Sequence, residues 1–105
     1  MSTYRRDYKR FIVNDSASLV TDNGVERPLI LEDLSARGAG VIGNYPFQIN
    51  EEVSVVIYAP FFFDKPALKE AKTVWCKEIN ENLWQAGLDF GIGNLINFSS
   101  ALQNS

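Results

Sequence analysis

The sequence predicts an all-β domain, an antiparallel barrel of short strands covered by one short C-terminal helix. Two observations carry this prediction: apolar residues alternate with a period of two in several segments, and turn-forming residues join those segments in pairs. With 105 residues, of which 46% are hydrophobic and 22% are charged, the chain suits a single folded domain with one core.

The clearest predicted strand covers residues 53–58. Its β-branched residues Val53, Val55 and Ile57 recur at every second position, Ala59 continues the alternation, and the pattern ends at Pro60. This spacing places the three side chains on one face of a strand.

A second strand is predicted at residues 29–34, where Leu29, Leu31 and Asp33 occupy alternate positions and would share one face. Residues 22–24 have the sequence Asp-Asn-Gly, which is typical of a tight turn, and they would join this strand to residues 18–20. The two segments are therefore predicted to form a hairpin.

A further hairpin is predicted from residues 73–76 and 83–90, which flank the Asn-Glu-Asn turn at 80–82. Residues 67–72 have a helix-forming composition, and propensity alone would let a helix run from there into Trp75, but we discount this helix. Apolar residues at three- and four-residue spacing predict a short amphipathic helix at about 92–103, which would cover one opening or edge of the barrel.

Three consecutive aromatic residues, Phe61 to Phe63, follow the predicted strand and its proline. They would either plug the core or form an exposed docking patch. Because large aromatic side chains are usually buried, we favour the plug.

The charge of the chain is unevenly distributed. The first ten residues hold four basic residues and one acidic residue, whereas the remainder holds six basic and twelve acidic residues, for a net charge of −3. We therefore divide the chain into a flexible N-terminal arm, residues 1–10, and a barrel domain with its helix, residues 11–105. The acidic remainder argues against binding of a nucleic-acid polymer, which favours a basic domain.

Two short motifs carry the functional prediction. The first, R-R-x-x-x-R, consists of Arg5, Arg6 and Arg10 in the arm. The second, D-x-S-x-x-G, consists of Asp33, Ser35 and Gly38, where a predicted strand passes into a turn. Gly38 would provide either a positive φ or a close approach of two backbones.

The order of these motifs, with the second a little over twenty residues after the first, resembles the PilZ domain family. The Val74-Trp75 pair and the Ala-Gly-Leu-Asp-Phe segment at 86–90 extend the resemblance, which runs from Arg5 to about Phe90. It implies a six-stranded antiparallel split barrel and a bacterial receptor for the second messenger cyclic di-GMP. Such a receptor regulates a downstream protein in motility, biofilm, exopolysaccharide or pilus control.

The chemistry of the motif residues suits this ligand, which has two phosphodiester anions and two guanines. Arginine bonds bidentately to guanine O6 and N7 or to phosphate, and it also stacks on a purine plane. Asp33 would accept from guanine N1–H and N2–H₂, and the Ser35 hydroxyl would donate or accept beside it. The candidate ligand-binding residues are Arg5, Arg6, Arg10, Asp33, Ser35 and Gly38.

The arm has few apolar side chains to offset the entropy lost when it becomes ordered, about 1–2 kcal/mol per residue for the backbone alone. We therefore expect the arm to become ordered only when ligand binds, as a clamp across the barrel.

Two positions depart from the resemblance: Glu51-Glu52 stands where the family often has glycine, and Asp89 replaces a residue that is often basic. Arg37 occupies a variable position.

The remaining expectations concern compartment and chemistry. The chain has no histidine and a single cysteine, so we expect no enzyme activity, no metal and no cofactor other than the bound ligand. No signal-peptide pattern or long apolar run is present, and a cytoplasmic monomer or weak dimer without membrane contact is expected.

The main alternative to the receptor is a PilZ-like adaptor that binds proteins and no nucleotide. A barrel that binds single-stranded nucleic acid is a more distant alternative.

Overall fold

Six β-strands make up most of the chain that the computed structural model describes, namely residues 10–21, 23–61 and 63–91. The strands are β1 (Phe11–Val20), β2 (Glu26–Leu34), β3 (Gly38–Gly43), β4 (Glu52–Tyr58), β5 (Ala67–Asn80) and β6 (Leu83–Asp89). They form a closed antiparallel barrel in the order β1-β2-β3-β6-β5-β4. The predicted barrel is confirmed, whereas the predicted helix at 92–103 and residues 1–9 of the predicted arm lie outside the described residues.

Both predicted hairpins are present. Between β1 and β2, the Thr21 amide donates to the Val25 carbonyl at 2.9 Å, and Gly24 has a φ of 80°. Between β5 and β6, Asn82 takes a φ of 57°. Residues 67–72 lie in β5 and not in a helix, because they pair with β4 from Ala67 opposite Ile57 onwards. The sheet contacts override the local helix propensity there.

The interior of the barrel is filled by alternate side chains of the strands. On β4, the predicted face of Val53, Val55 and Ile57 points inward, and each of the three is buried. Buried residues of the other strands complete the core: Ala17, Leu19, Leu29, Leu31, Leu34, Ala39, Val41, Ala71, Ala86 and Leu88. The sheet closes on itself where residues 16–20 of β1 pair with residues 54–58 of β4, and this closure encloses the core.

Strand β2 interrupts its alternation with a bulge. Leu31 and Leu34 are both fully buried although three positions separate them, and the register with β3 shifts between Leu31 and Asp33. One extra residue is thus accommodated, so Glu32 and Asp33 both lie on the outer side. This corrects the prediction from strict alternation, which placed Asp33 on the same face as Leu29 and Leu31.

Strand β5 contains a similar irregularity. Thr73 is fully buried and Cys76 packs against the core, while the register with β6 shifts between Thr73 and Trp75. The extra residue turns the Trp75 side chain to the outer face, opposite Gly87 of β6.

The aromatic segment after β4 divides between two environments. The Phe63 amide donates to the Ala59 carbonyl at 3.0 Å, and its ring packs against the core with the Lys69 ammonium 5.7 Å from its centroid. Burial lowers the pKa of Lys69 below its ordinary value. Phe61 is 69% exposed, so the plug prediction is wrong for this residue. The turn after β4 places Phe61 and Phe63 in different environments, and Phe62 lies outside the described residues.

The turn before β4 forms without the glycine that the resemblance led us to expect. Asn50 takes a φ of 72°, and its amide donates to the Thr73 carbonyl at 2.7 Å. The Glu51 carboxylate accepts from the Gln48 amide at 3.1 Å. Asparagine adopts this left-handed conformation more readily than most residues, so the Glu51-Glu52 pair is accommodated.

Strands β3 and β6 approach each other very closely at Gly38. A Cβ placed on Gly38 would lie 2.1 Å from the Leu88 carbonyl oxygen. Of the two roles predicted for this glycine, the close backbone approach is therefore the one observed, and its φ lies outside the left-handed region. Within the three described ranges, no helix is long and apolar enough to cross a membrane.

We predict that Gly38→Ala lowers the free energy of unfolding by about 1–3 kcal/mol, because the new methyl group meets backbone that must shift. Gly43→Ala is the matched control, since its Cβ would meet Cδ2 of Leu29 at 2.4 Å, the end of a flexible side chain. Urea unfolding of both variants measures the difference. A loss for Gly43→Ala equal to that for Gly38→Ala would contradict the prediction.

Candidate ligand-binding site

One line of outward positions crosses five neighbouring strands and brings the candidate site together. Asp33 of β2 pairs with Gly40 of β3, Gly40 with Gly87 of β6, and Gly87 with Trp75 of β5, while Ile12 of β1 lies opposite Asp33 on its other side. We call these five residues the outer row.

The two glycines of the outer row give it a floor of bare backbone. A Cβ on Gly40 would lie 2.9 Å from a carboxylate oxygen of Asp33, and a Cβ on Gly87 would lie 2.2 Å from the Trp75 Nε1. The carboxylate and the indole therefore each lean over the glycine of the neighbouring strand. Because directly opposed positions on adjacent strands are about 5 Å apart, the two groups are held close to each other.

An ion pair lies at the β2 end of this floor. The Arg10 Nη1 donates to the Asp33 Oδ1, with the two side chains 41% and 26% exposed. Arg10 immediately precedes β1, whose first residues pair with the end of β2. A carboxylate has about four lone-pair positions, so one bond from arginine leaves capacity for further donors.

The turn after Asp33 is closed by the Ser35 hydroxyl. Ser35 Oγ accepts from the Gly38 amide at 3.1 Å and from the Arg37 amide at 3.3 Å, and it lies 3.3 Å from the Gly38 carbonyl oxygen to which it donates. The Ser35 amide also donates to the Gly38 carbonyl, at 2.9 Å. With a relative exposure of 3%, Ser35 is buried, and its hydroxyl holds the turn in shape.

A second ion pair fastens this turn to the end of β6. Arg37 Nε donates to Asp89 Oδ1 at 3.0 Å, and Nη2 donates to Oδ2 at 3.4 Å. The Phe90 amide donates to the Arg37 carbonyl at 2.7 Å, and the Gly91 amide donates to Asp89 Oδ1 at 2.8 Å. Asp89, which stands where the family often has a basic residue, is therefore paired with Arg37 at the variable position.

The structure unites some of the predicted site residues. It brings Arg10 and Asp33 into contact and places Ser35 and Gly38 in the turn that directly follows them. Arg5 and Arg6 lie outside the described residues.

Sequence reasoning missed Gly40 and Gly87 as shapers of the site, and it used Trp75 only as part of the resemblance. A usable signal was present, since a glycine inside a strand pattern often marks a place where another group approaches the backbone closely.

The arrangement suits a flat, polar ligand with donor groups and negative charge. The Asp33 carboxylate accepts hydrogen bonds, the Trp75 indole offers a planar apolar face, and Arg10 is a cation with several N–H donors. Among the described residues, no group of histidine, cysteine or acidic side chains is placed to hold a metal ion.

The family model of the PilZ domain matches residues 4–103. Comparison with curated proteins finds no significant match. Solved structures share the fold at low identity. The Bacillus subtilis inhibitor of motility MotI/DgrA is 16% identical, with a TM-score of 0.66, covering 95% of this chain and 51% of that chain.

The K. pneumonia MrkH–c-di-GMP complex is 14% identical, with a TM-score of 0.71, covering 94% of this chain and 50% of that chain. The PilZ domain of Escherichia coli YcgR with c-di-GMP is 13% identical, with a TM-score of 0.67, covering 90% and 86%. The chain thus spans about half the length of the MotI and MrkH chains that it matches.

At these identities the structural likeness shows the fold, whereas the family match covers nearly the whole chain. PilZ domains are ligand-binding receptor domains and not enzymes, which agrees with the expectation from the sequence. From the match over residues 4–103, the chain belongs to the PilZ domain family.

Proposed function

We propose that this protein is a receptor that binds cyclic di-GMP on the outer row and transmits binding to a downstream partner. The observation that carries the proposal is the contact of Arg10 with Asp33 over a glycine floor that also holds the Trp75 indole. Family membership supports it, and so do the MrkH and YcgR structures, which contain c-di-GMP on the same fold.

The proposed contacts assign one chemical role to each group. Asp33 accepts from the N1–H and N2–H₂ groups of one guanine while it retains Arg10, and the Trp75 indole stacks on a purine face. Arg10, Arg5 and Arg6 bind the phosphodiesters or the O6 and N7 edge of guanine. Gly38 allows the close approach of β3 and β6 that keeps the turn beside the floor.

The role proposed for Ser35 takes account of its burial. Its hydroxyl already bonds to three backbone groups of the turn, so it orients Asp33 and Arg37 from beneath. A direct bond from Ser35 to a guanine edge, as predicted from the motif, requires this turn to open. We therefore propose that Ser35 acts mainly by holding the turn.

The proposed output is a change in surface charge and shape. The basic arm, brought across the outer row by the anionic ligand, places positive charge on the face of an otherwise acidic domain. A protein partner that binds one of the two states better than the other would then sense the ligand. The regulated process belongs, in this proposal, to motility, biofilm, exopolysaccharide or pilus control.

A nucleotide-free adaptor is the second candidate function, and the exposure of Phe61 favours it. An aromatic side chain that is 69% exposed suits contact with another protein. The two functions differ in whether the outer row binds nucleotide at all, so one titration separates them.

Calorimetric titration with cyclic di-GMP tests the proposal. We expect the wild type to bind, and we expect Arg10→Ala and Asp33→Ala each to weaken binding from several-fold to about a hundred-fold, the effect of losing a contact worth about 1–3 kcal/mol. Arg27→Ala is the control, because Arg27 lies near the start of β2 and Asp33 near its end. There the Arg27 guanidinium is 5.5 Å from the Tyr45 ring centroid. No heat from the wild type would favour the adaptor, and an equal loss for Arg27→Ala would indicate a nonspecific charge effect.

Trp75 fluorescence reports on stacking. In a Trp84→Phe background, we expect cyclic di-GMP to quench the remaining Trp75 emission, because a purine would cover the indole face. Trp75→Ala should weaken binding by about 1–3 kcal/mol, the usual loss when a base loses its aromatic partner. The reciprocal Trp75→Phe protein, which retains Trp84, serves as the control. Equal quenching in both proteins would place the ligand elsewhere.

Amide hydrogen exchange tests the clamp. Because arginine contacts to the ligand would order the backbone, we expect exchange in residues 5–10 to slow when cyclic di-GMP is added. The hairpin turn at residues 80–82 serves as an internal reference that should not change. Equal exchange in residues 5–10 with and without ligand would rule out the clamp while leaving binding itself intact.

A further inference from the structure

The Arg37–Asp89 ion pair occupies the border of the candidate site. Gly38 pairs with Asp89, and Gly40 pairs with Gly87, so the acidic residue is one outward position beyond the glycine floor on the same strand. Two residues of a strand span about 7 Å, so the pair is within reach of a dinucleotide that covers the outer row.

The geometry of this pair differs from that of a typical surface ion pair. Arg37 uses Nε and Nη2 on the two oxygens of one carboxylate, and the side chains are 24% and 21% exposed. A partly buried bidentate pair is screened less than an exposed one and fixes the plane of the guanidinium. The positive charge beside the floor is therefore already matched.

A matched pair presents less attraction to an anion than a single cation does. Pairing lowers the apparent affinity for the anion, because only the fraction of molecules in which the cation is available can bind it with full strength. If Arg37 is held by Asp89 in most molecules, a phosphate that approaches the floor must compete with a carboxylate for the same N–H groups.

We propose that Asp89 tunes the affinity of the receptor by holding Arg37 away from the anionic ligand, so that Arg37 is a latent phosphate-binding residue. This inference rests on the proposed function. It makes Asp89 a positioning residue that acts through Arg37, and it explains how a carboxylate can border a site for an anion. It concerns how tightly the site binds, and it leaves the roles of Arg10 and Asp33 unchanged.

The test is a double-mutant cycle in the full chain, with the affinity for cyclic di-GMP measured by calorimetry. Asp89→Asn keeps the shape of the side chain and an oxygen for the Gly91 amide, and we expect it to tighten binding about tenfold, the effect of one released arginine contact. Arg37→Gln should weaken binding several-fold. In the Arg37→Gln background, Asp89→Asn should tighten binding clearly less than in the wild type.

Two controls separate the proposal from a general charge effect. Glu81→Gln removes one acidic charge from the turn at the opposite end of β6, and we expect no change in affinity. Lys72→Gln removes a second cation beside Asp89, its cross-strand neighbour on β5. Asp89→Asn should retain its full effect in that background.

The outcomes are distinct. The inference is overturned if Asp89→Asn tightens binding equally in the wild-type and Arg37→Gln backgrounds. It is also overturned if the effect of Asp89→Asn disappears in the Lys72→Gln background. In both cases binding itself stands. Binding that Asp89→Asn leaves unchanged overturns the inference in the same way. If none of the variants binds, the proposed function fails and the inference fails with it. Thermal unfolding checks that each variant is folded, and Asp89→Ser replaces Asp89→Asn if the latter is not.

Discussion

The candidate site depends on two extra residues, one in β2 and one in β5. A strand in a small closed barrel must direct every second side chain into the core, and a polar group that kept this alternation would be buried. The bulges before Asp33 and Trp75 interrupt the alternation at the point where it would have buried them. The core remains filled by Leu31 and Leu34 on one strand and by Thr73 and Cys76 on the other. The site is thus a local exception that the packing on both sides permits.

Much of the fold could be predicted because the responsible signals are local. The hairpins around residues 22–24 and 80–82 follow from turn residues that accept a positive φ, and the inward face of β4 follows from its β-branched residues. The placement of Arg10 and Asp33 in one site could be predicted only through the resemblance, since spacing alone does not say that the start of β1 meets the end of β2, and their direct contact was not predicted. Arg5 and Arg6 stay predictions.

Apart from the exposure of Phe61, the parts that escaped prediction depend on pairing between strands. Strand β3 is rich in glycine and has little strand propensity, so it exists because β2 and β6 flank it. The bulges have no reliable signature in a single sequence, and a strict period of two therefore placed Asp33 on the wrong face. The Arg37–Asp89 pair joins residues that are 52 positions apart, which no local pattern reveals.

The bare floor of the outer row has a consequence for how this surface can evolve. Gly40 and Gly87 contribute through atoms that they lack, so every replacement adds volume where the carboxylate and the indole already lie. Such positions have no conservative substitution, whereas the residues around the rim can be exchanged by degrees. Substitutions at the border of the site can therefore change ligand preference gradually. A substitution at Gly40 or Gly87 would instead disrupt the site as a whole.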